Sequence, residues 1–155
     1  MTFLKRAAVG ALLLGVSACA TAGGGYLDPF AAPTYGQVTL NAGFTPDPYL
    51  VDVVAGGDLD ASSLGSGCAG GIASSPDFRV TYRAGSYPLS FAAISGADTT
   101  LVINGPDGQY HCDDDSGGDG DPFISFSNPQ SGVYDIWVGV YDGGTADAVL
   151  YVSEE

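Results

Sequence analysis

From Gly36 onward the apolar residues of this chain recur at every second position, and that period is the strongest limit on its fold. Val38, Leu40 and Ala42 alternate with Thr39 and Asn41. Phe78, Val80 and Tyr82 alternate with Arg79, Thr81 and Arg83, which puts both arginines on one face. Leu89, Phe91 and Ala93 keep the rule, as do Leu101 with Ile103, Ile124 with Phe126, and Tyr134, Ile136, Val138 with Val140. Successive side chains of an extended strand point to opposite faces, so each run is a strand with one buried face. The run from Ala148 to Val152 is apolar on both faces and fits a strand inside a sheet. Turn sequences such as Gly105-Pro106-Asp107-Gly108 and Asp142-Gly143-Gly144 separate the runs. With 24 glycines and 9 prolines among 155 residues, and no sustained 3.6-residue period, helices are disfavoured. The pattern predicts an all-β domain over residues 36–155: an antiparallel, jelly-roll-like β-sandwich of about seven to nine strands.

The first 18 residues read as an address. Met1 to Arg6 is basic, and Ala7 to Ala18 is an apolar run too short to span a bilayer. Val16-Ser17-Ala18-Cys19 resembles a bacterial lipobox, in which Cys19 would take a diacylglycerol and become the mature N-terminus. The alternative is an ordinary secretory signal cut after Ala18-Cys19-Ala20. Either reading predicts export, to a lipid-anchored place in the bacterial envelope (outer membrane or periplasmic face) or else to the periplasm or medium. Residues 19–35, small and interrupted by Pro29 and Pro33, read as a flexible tether with a reach of roughly 20–25 Å. Of three cysteines, Cys68 and Cys112 remain to pair in an oxidising compartment. Such a bridge would contribute about 4 kcal/mol by chain entropy. With His111 the single histidine and no C-x-x-C spacing, zinc is disfavoured.

Charge narrows the partners. Four basic residues face 18 acidic ones, a formal net of −14. Loss of Lys5 and Arg6 with the leader would leave Arg79 and Arg83 against those 18, or −16 (2 minus 18). Such a surface repels phosphate backbones and anionic headgroups, which excludes nucleic acid and leaves membrane contact to the lipid anchor alone.

Several segments of the second half share one pattern. Asp77-Phe78-Arg79-Val80 is followed by Asp98-Thr99-Thr100-Leu101-Val102-Ile103, by Gly105 to Gly108, and by Asp113-Asp114-Asp115-Ser116-Gly117. Ser131-Gly132-Val133-Tyr134-Asp135-Ile136-Trp137-Val138-Gly139 closes the series. In order and spacing these resemble the bacterial pre-peptidase C-terminal domain, a jelly-roll β-sandwich often appended to secreted proteases and related to clostridial collagen-binding domains. The resemblance covers Phe78 to Val152 and implies a free-standing, non-catalytic envelope module. A Cys68–Cys112 bridge is not a general feature of that family.

Three features are candidate sites. Asp113, Asp114, Asp115, Asp119 and Asp121 lie on a Gly-rich loop, the arrangement of hard oxygens and pliant backbone that calcium favours. A solvated turn explains the same residues, and Asp58 and Asp60 are weaker members of the same set. Trp137 and Tyr141, opposite the core run of their strand, form a candidate ligand face for an envelope protein or glycan, although such residues more often pack against the second sheet or a loop, and burial is the expected fate of the single tryptophan. Asp115-Ser116-Gly117-Gly118 copies the tetrapeptide around a serine-protease nucleophile. Ser116 would need His111 as base and an oxyanion pocket, so hydrolysis is the lesser alternative. The expected function is a non-catalytic binding or structural module, with calcium-dependent carbohydrate or matrix binding as the second reading.

Overall fold

A computed structural model describes residues 25–155. The leader, Cys19 and the start of the tether lie outside the described residues. Two sheets face each other as a β-sandwich. Eleven strands build them: β1 (Gln37–Asn41), β2 (Tyr49–Gly56), β3 (Leu59–Asp60), β4 (Gly71–Ile72), β5 (Phe78–Arg83) and β6 (Leu89–Ser95), then β7 (Thr99–Asn104), β8 (Tyr110–Asp113), β9 (Phe123–Phe126), β10 (Gly132–Val140) and β11 (Thr145–Ser153). The first sheet centres on β10, which pairs β5 and then β4 along one edge and β7 along the other. β1 lies outside β5, β8 outside β7, and β3 outside β4. The second sheet runs β2-β11-β6-β9.

All six alternating runs and the run from Ala148 to Val152 are strands. Four more strands were not expected. β3 and β4 are two residues each, and β8 is a short partner of β7. β2 escaped because its alternation is broken: Val51, Val53 and Ala55 face the core, yet Leu50 and Val54 on the other face are apolar too. The pairing also departs from pure antiparallel. β1 runs parallel to β5 with Gln37 opposite Arg79, and every other pairing of described strands is antiparallel. The parallel pair arises because the chain enters alongside residues 76–77: Thr34 N–H donates to Pro76 O and Tyr35 N–H to Asp77 O.

The core fills the space between the sheets with the inward residues that the period marks. Val80, Phe91, Leu101, Ile136, Val138 and Leu150 are all fully buried. Phe91 meets Phe126 edge-on and Tyr134 at a tilt, with centroids 6.1 and 5.7 Å apart. Offset and edge contacts of this kind add to area burial.

The segment read as tether is bound from Leu27 onward. Leu27 packs into an apolar cluster with Trp137, and Asp28 N–H donates to Ser74 O. The Arg79 guanidinium donates to Pro29 O and Ala31 O while its Nε holds Asp135. A planar fork with several fixed donors suits that bridging role. The ordered unit therefore begins before Gly36.

Asp77 is buried just before β5, its Oδ2 accepting the N–H of Val138 at 2.7 Å. Burial pushes its carboxyl from 3.8 up to about 7, against the opposing pull of that hydrogen bond. A carboxyl whose folded pKa exceeds its unfolded one stabilises the fold while protonated. That contribution is complete below about 4 and is lost as pH rises through about 7. Asp77→Asn keeps the acceptor and removes the charge. Its unfolding free energy should match wild type near pH 4 and exceed it by about 2–4 kcal/mol at pH 8. Urea titrations across that range check this; a gap independent of pH would contradict it.

Candidate functional site

Each candidate of the sequence has a definite place. The acidic loop joins β8 to β9 and closes on itself. Asp113 Oδ2 accepts the N–H groups of Ser116 (3.0 Å) and Phe123 (2.9 Å), while its Oδ1 accepts the Ser116 hydroxyl. Gly117 N–H donates to Asp121 O and Asp121 N–H to Gly118 O. Gly118 and Gly120 sit at φ 86° and 80°, where a side chain is strained, and Asp119 between them adopts φ 56°. Aspartate tolerates that region better than most residues. Asp121 Oδ1 accepts the Ser95 N–H. Two of the five carboxylates thus hold backbone donors, whereas Asp114, Asp115 and Asp119 make no side-chain hydrogen bond among the described residues. No three His, Cys, Asp or Glu side chains of the described residues converge as an ion would need. Asp60, a weaker candidate, caps the single 3-10 turn Ala61–Ser63 by accepting the Ser62 N–H, which lowers its pKa.

Ser116 and His111 are not joined. The Ser116 hydroxyl is directed to Asp113, in an exposed loop. His111 packs edge-on against Phe126, centroids 4.9 Å apart, with Nε2 3.4 Å from Asp107 Oδ2 but not aligned for a hydrogen bond. A serine without its base stays a weak nucleophile.

At the candidate face of Trp137 and Tyr141, the structure buries the tryptophan, as the alternative reading expects, and leaves the tyrosine exposed. Trp137 points to the outer side of its sheet, as the period says, but nothing of it reaches solvent. Residues 59–72 fold back as a flap over that face, placing Ala61, Cys68 and Ile72 on the indole, with Leu27 and Leu64 beside them. Gly139 permits the approach: a Cβ there would sit 2.3 Å from Thr100 Oγ1 and 2.9 Å from Gly71 O. The Cys68–Cys112 disulfide, with Cα atoms 4.9 Å apart, ties the flap to β8. Tyr141 lies apart, 48% exposed at the turn after β10. Burial makes tryptophan a cover for the sheet and leaves it no surface to offer.

The open apolar surface lies on the other sheet. Outward residues of β2, β11, β6 and β9 form a row in register: Leu50 opposes Tyr151, Tyr151 opposes Ala92, and Ala92 opposes Phe123. The next row runs Asp52, Val149, Ile94, and a third pairs Val54 with Asp147. Leu50, Val54, Ile94 and Phe123 are between 41% and 52% exposed. Two shallow concavities of about 450 and 400 Å³ lie on this face and share Ile94. The signal for it was present in two runs, 49–56 and 148–152, that are apolar on both faces.

Compared with protein-family models, with curated proteins and with solved structures, the chain has no match in any of the three. The functional reading therefore rests on the residues. Among those described, no helix is long and apolar enough to cross a membrane.

The flap yields a direct test. Trp137 is the single tryptophan, so its emission reports the cover. Replacing Cys68 and Cys112 by serine should lower the unfolding free energy by about 4 kcal/mol and shift tryptophan emission to the red as the flap lifts. Unchanged emission in the folded variant would mean that packing alone holds the flap.

Proposed function

We propose that this chain is a non-catalytic binding module of the bacterial cell envelope that takes its partner on the outer face of the four-stranded sheet. One observation carries the reading: the apolar rows from Leu50 to Phe123 and from Val149 to Ile94 are contiguous and solvent-facing on an otherwise acidic chain. Contiguous exposed apolar patches on soluble domains mark interaction sites, while scattered ones do not. Placement in the envelope rests on the lipobox-like Val16 to Cys19, which would bind the module to a membrane. The disulfide supports an oxidising compartment. The likeness of Phe78 to Val152 to the pre-peptidase C-terminal domain points the same way, toward a sandwich that binds and does no chemistry.

For the acidic loop, calcium is proposed as an accessory stabiliser whose ligands would come from Asp113, Asp114, Asp115, Asp119 and Asp121. A bound ion would raise the unfolding midpoint by mass action, and magnesium would do so less. Midpoints equal in chelator and in millimolar calcium would leave the loop to its Asp113 hydrogen bonds.

The binding face has its own test. Fluorescently labelled protein should attach saturably to envelopes from cells lacking the gene, and unlabelled wild type should compete it off. Val54→Ser with Ile94→Ser alters only outward side chains and should compete at least about tenfold less well, with its unfolding midpoint nearly unchanged. A double variant that competes as well as wild type would remove this face from the function.

A further inference from the structure

We propose that the partner segment received on this face is basic and apolar in alternation, an Arg- or Lys-bearing protein segment and not a glycan, an anionic surface or a second copy of this chain. The inference rests on the face named above and adds the chemistry of its occupant. In the larger concavity, Asp52 and Asp147 stand at diagonal positions of the β2–β11 pair over a floor of Val54, Val149 and Ile94, with Tyr35 at the rim. Both aspartates are exposed, and diagonal positions lie about 7–8 Å apart, close enough for one guanidinium or ammonium to lie between them. No cation of the described chain serves them: Arg79 and Arg83 are both on β5 in the opposite sheet, and Arg79 is held by Asp135.

A long basic side chain matches this arrangement in each part. Its aliphatic stem lies on Val54 and Val149 while its head meets the carboxylates, and the Tyr35 ring offers a face to the cation. The adjoining concavity, lined by Ala92, Phe123 and Tyr151 with Glu155 at its margin, takes an apolar side chain.

The other occupants fit less well. A sugar needs donors as well as acceptors around it, and the larger concavity is floored by Val54, Val149 and Ile94, with Asp52 and Asp147 offering acceptors alone. A two-fold copy would bring the same carboxylates of two strongly acidic chains together. Anionic lipid is repelled for the same reason.

The experiment uses the protein purified as exported and a synthetic peptide of about twelve residues repeating Arg-Ser-Leu-Ser, which places Arg and Leu on one face of an extended chain. Calorimetry should show saturable, salt-sensitive binding. Replacing every Arg of the peptide by Glu, or every Leu by Ser, should weaken it at least about tenfold. Asp52→Asn with Asp147→Asn should weaken it as much without moving the unfolding midpoint. Asp107→Asn with Asp142→Asn removes the same charge at two exposed turns outside both concavities and should stay within about twofold of wild type. Equal weakening by both double variants would reduce the effect to bulk charge and overturn the proposal. Binding of the Glu peptide, or dimerisation of the free protein through this face, would overturn it as well. If no peptide binds while Val54→Ser with Ile94→Ser still loses envelope attachment, the partner chemistry is wrong and the face stands.

Discussion

A strand that carries a large apolar side chain on each face has to be covered on both, and this constraint shapes the whole molecule. β10 is the case that is met. Tyr134, Ile136 and Val138 enter the core between the sheets, while Trp137 on the opposite face would lie in water without further cover. The flap of residues 59–72, the end of the N-terminal segment at Leu27, and the disulfide to β8 all serve that one side chain. Fully burying a side chain of this size stabilises by a few kcal/mol at the usual area coefficient. The indole N–H is left without a partner among the described residues, a cost that the apolar contact must exceed.

Few positive charges are available to hold this acidic chain together, and the structure concentrates their use. Arg79 binds Asp135 and two carbonyls of the entering segment at once. Asp135 is still raised in pKa, because desolvation outweighs the guanidinium. Glu154 is held without any cation: the Tyr82 hydroxyl donates to one oxygen and the Gly43 N–H to the other. Burial first, and then that contact, raise the pKa of Tyr82, and the contact fastens Glu154 to the β1 side. Of the three buried carboxylates, Asp135 has the ion pair, while Asp77 and Glu154 are held by neutral N–H and O–H donors alone.

What could be read from sequence follows the same physics. Alternation reports burial of one face, so all seven one-sided or interior runs were visible, and so was the sandwich they imply. β2 was hidden because both its faces are apolar, β3 and β4 because two residues hold no period, and β8 because Tyr110-His111-Cys112-Asp113 shows no aliphatic alternation. Pairing direction leaves no local mark, hence the parallel β1–β5 pair. The disulfide was legible from counting. The orientation of Trp137 and its burial were legible too, but the segment that covers it was not, since residues 59–72 carry the irregular composition of a loop. The acidic loop drew attention through charge density, yet its folded form depends on which donors reach Asp113, a matter of turn geometry that composition does not encode.

The surface now offered for binding is the second instance of the opening constraint, left unmet. β11, like β10, is central in its sheet and carries large apolar side chains outward as well as inward, and Val149 and Tyr151 face outward with Leu50, Ile94 and Phe123 around them. No flap of the described chain crosses this side. Apolar residues that remain in water add little to the stability of the isolated domain, because their transfer from solvent has not taken place. Their contribution comes only when another molecule covers them. The two outer faces of one sandwich therefore divide the work. One is sealed by the chain's own flap and fixes the fold, and the other stays open and is the face on which we propose that a partner docks.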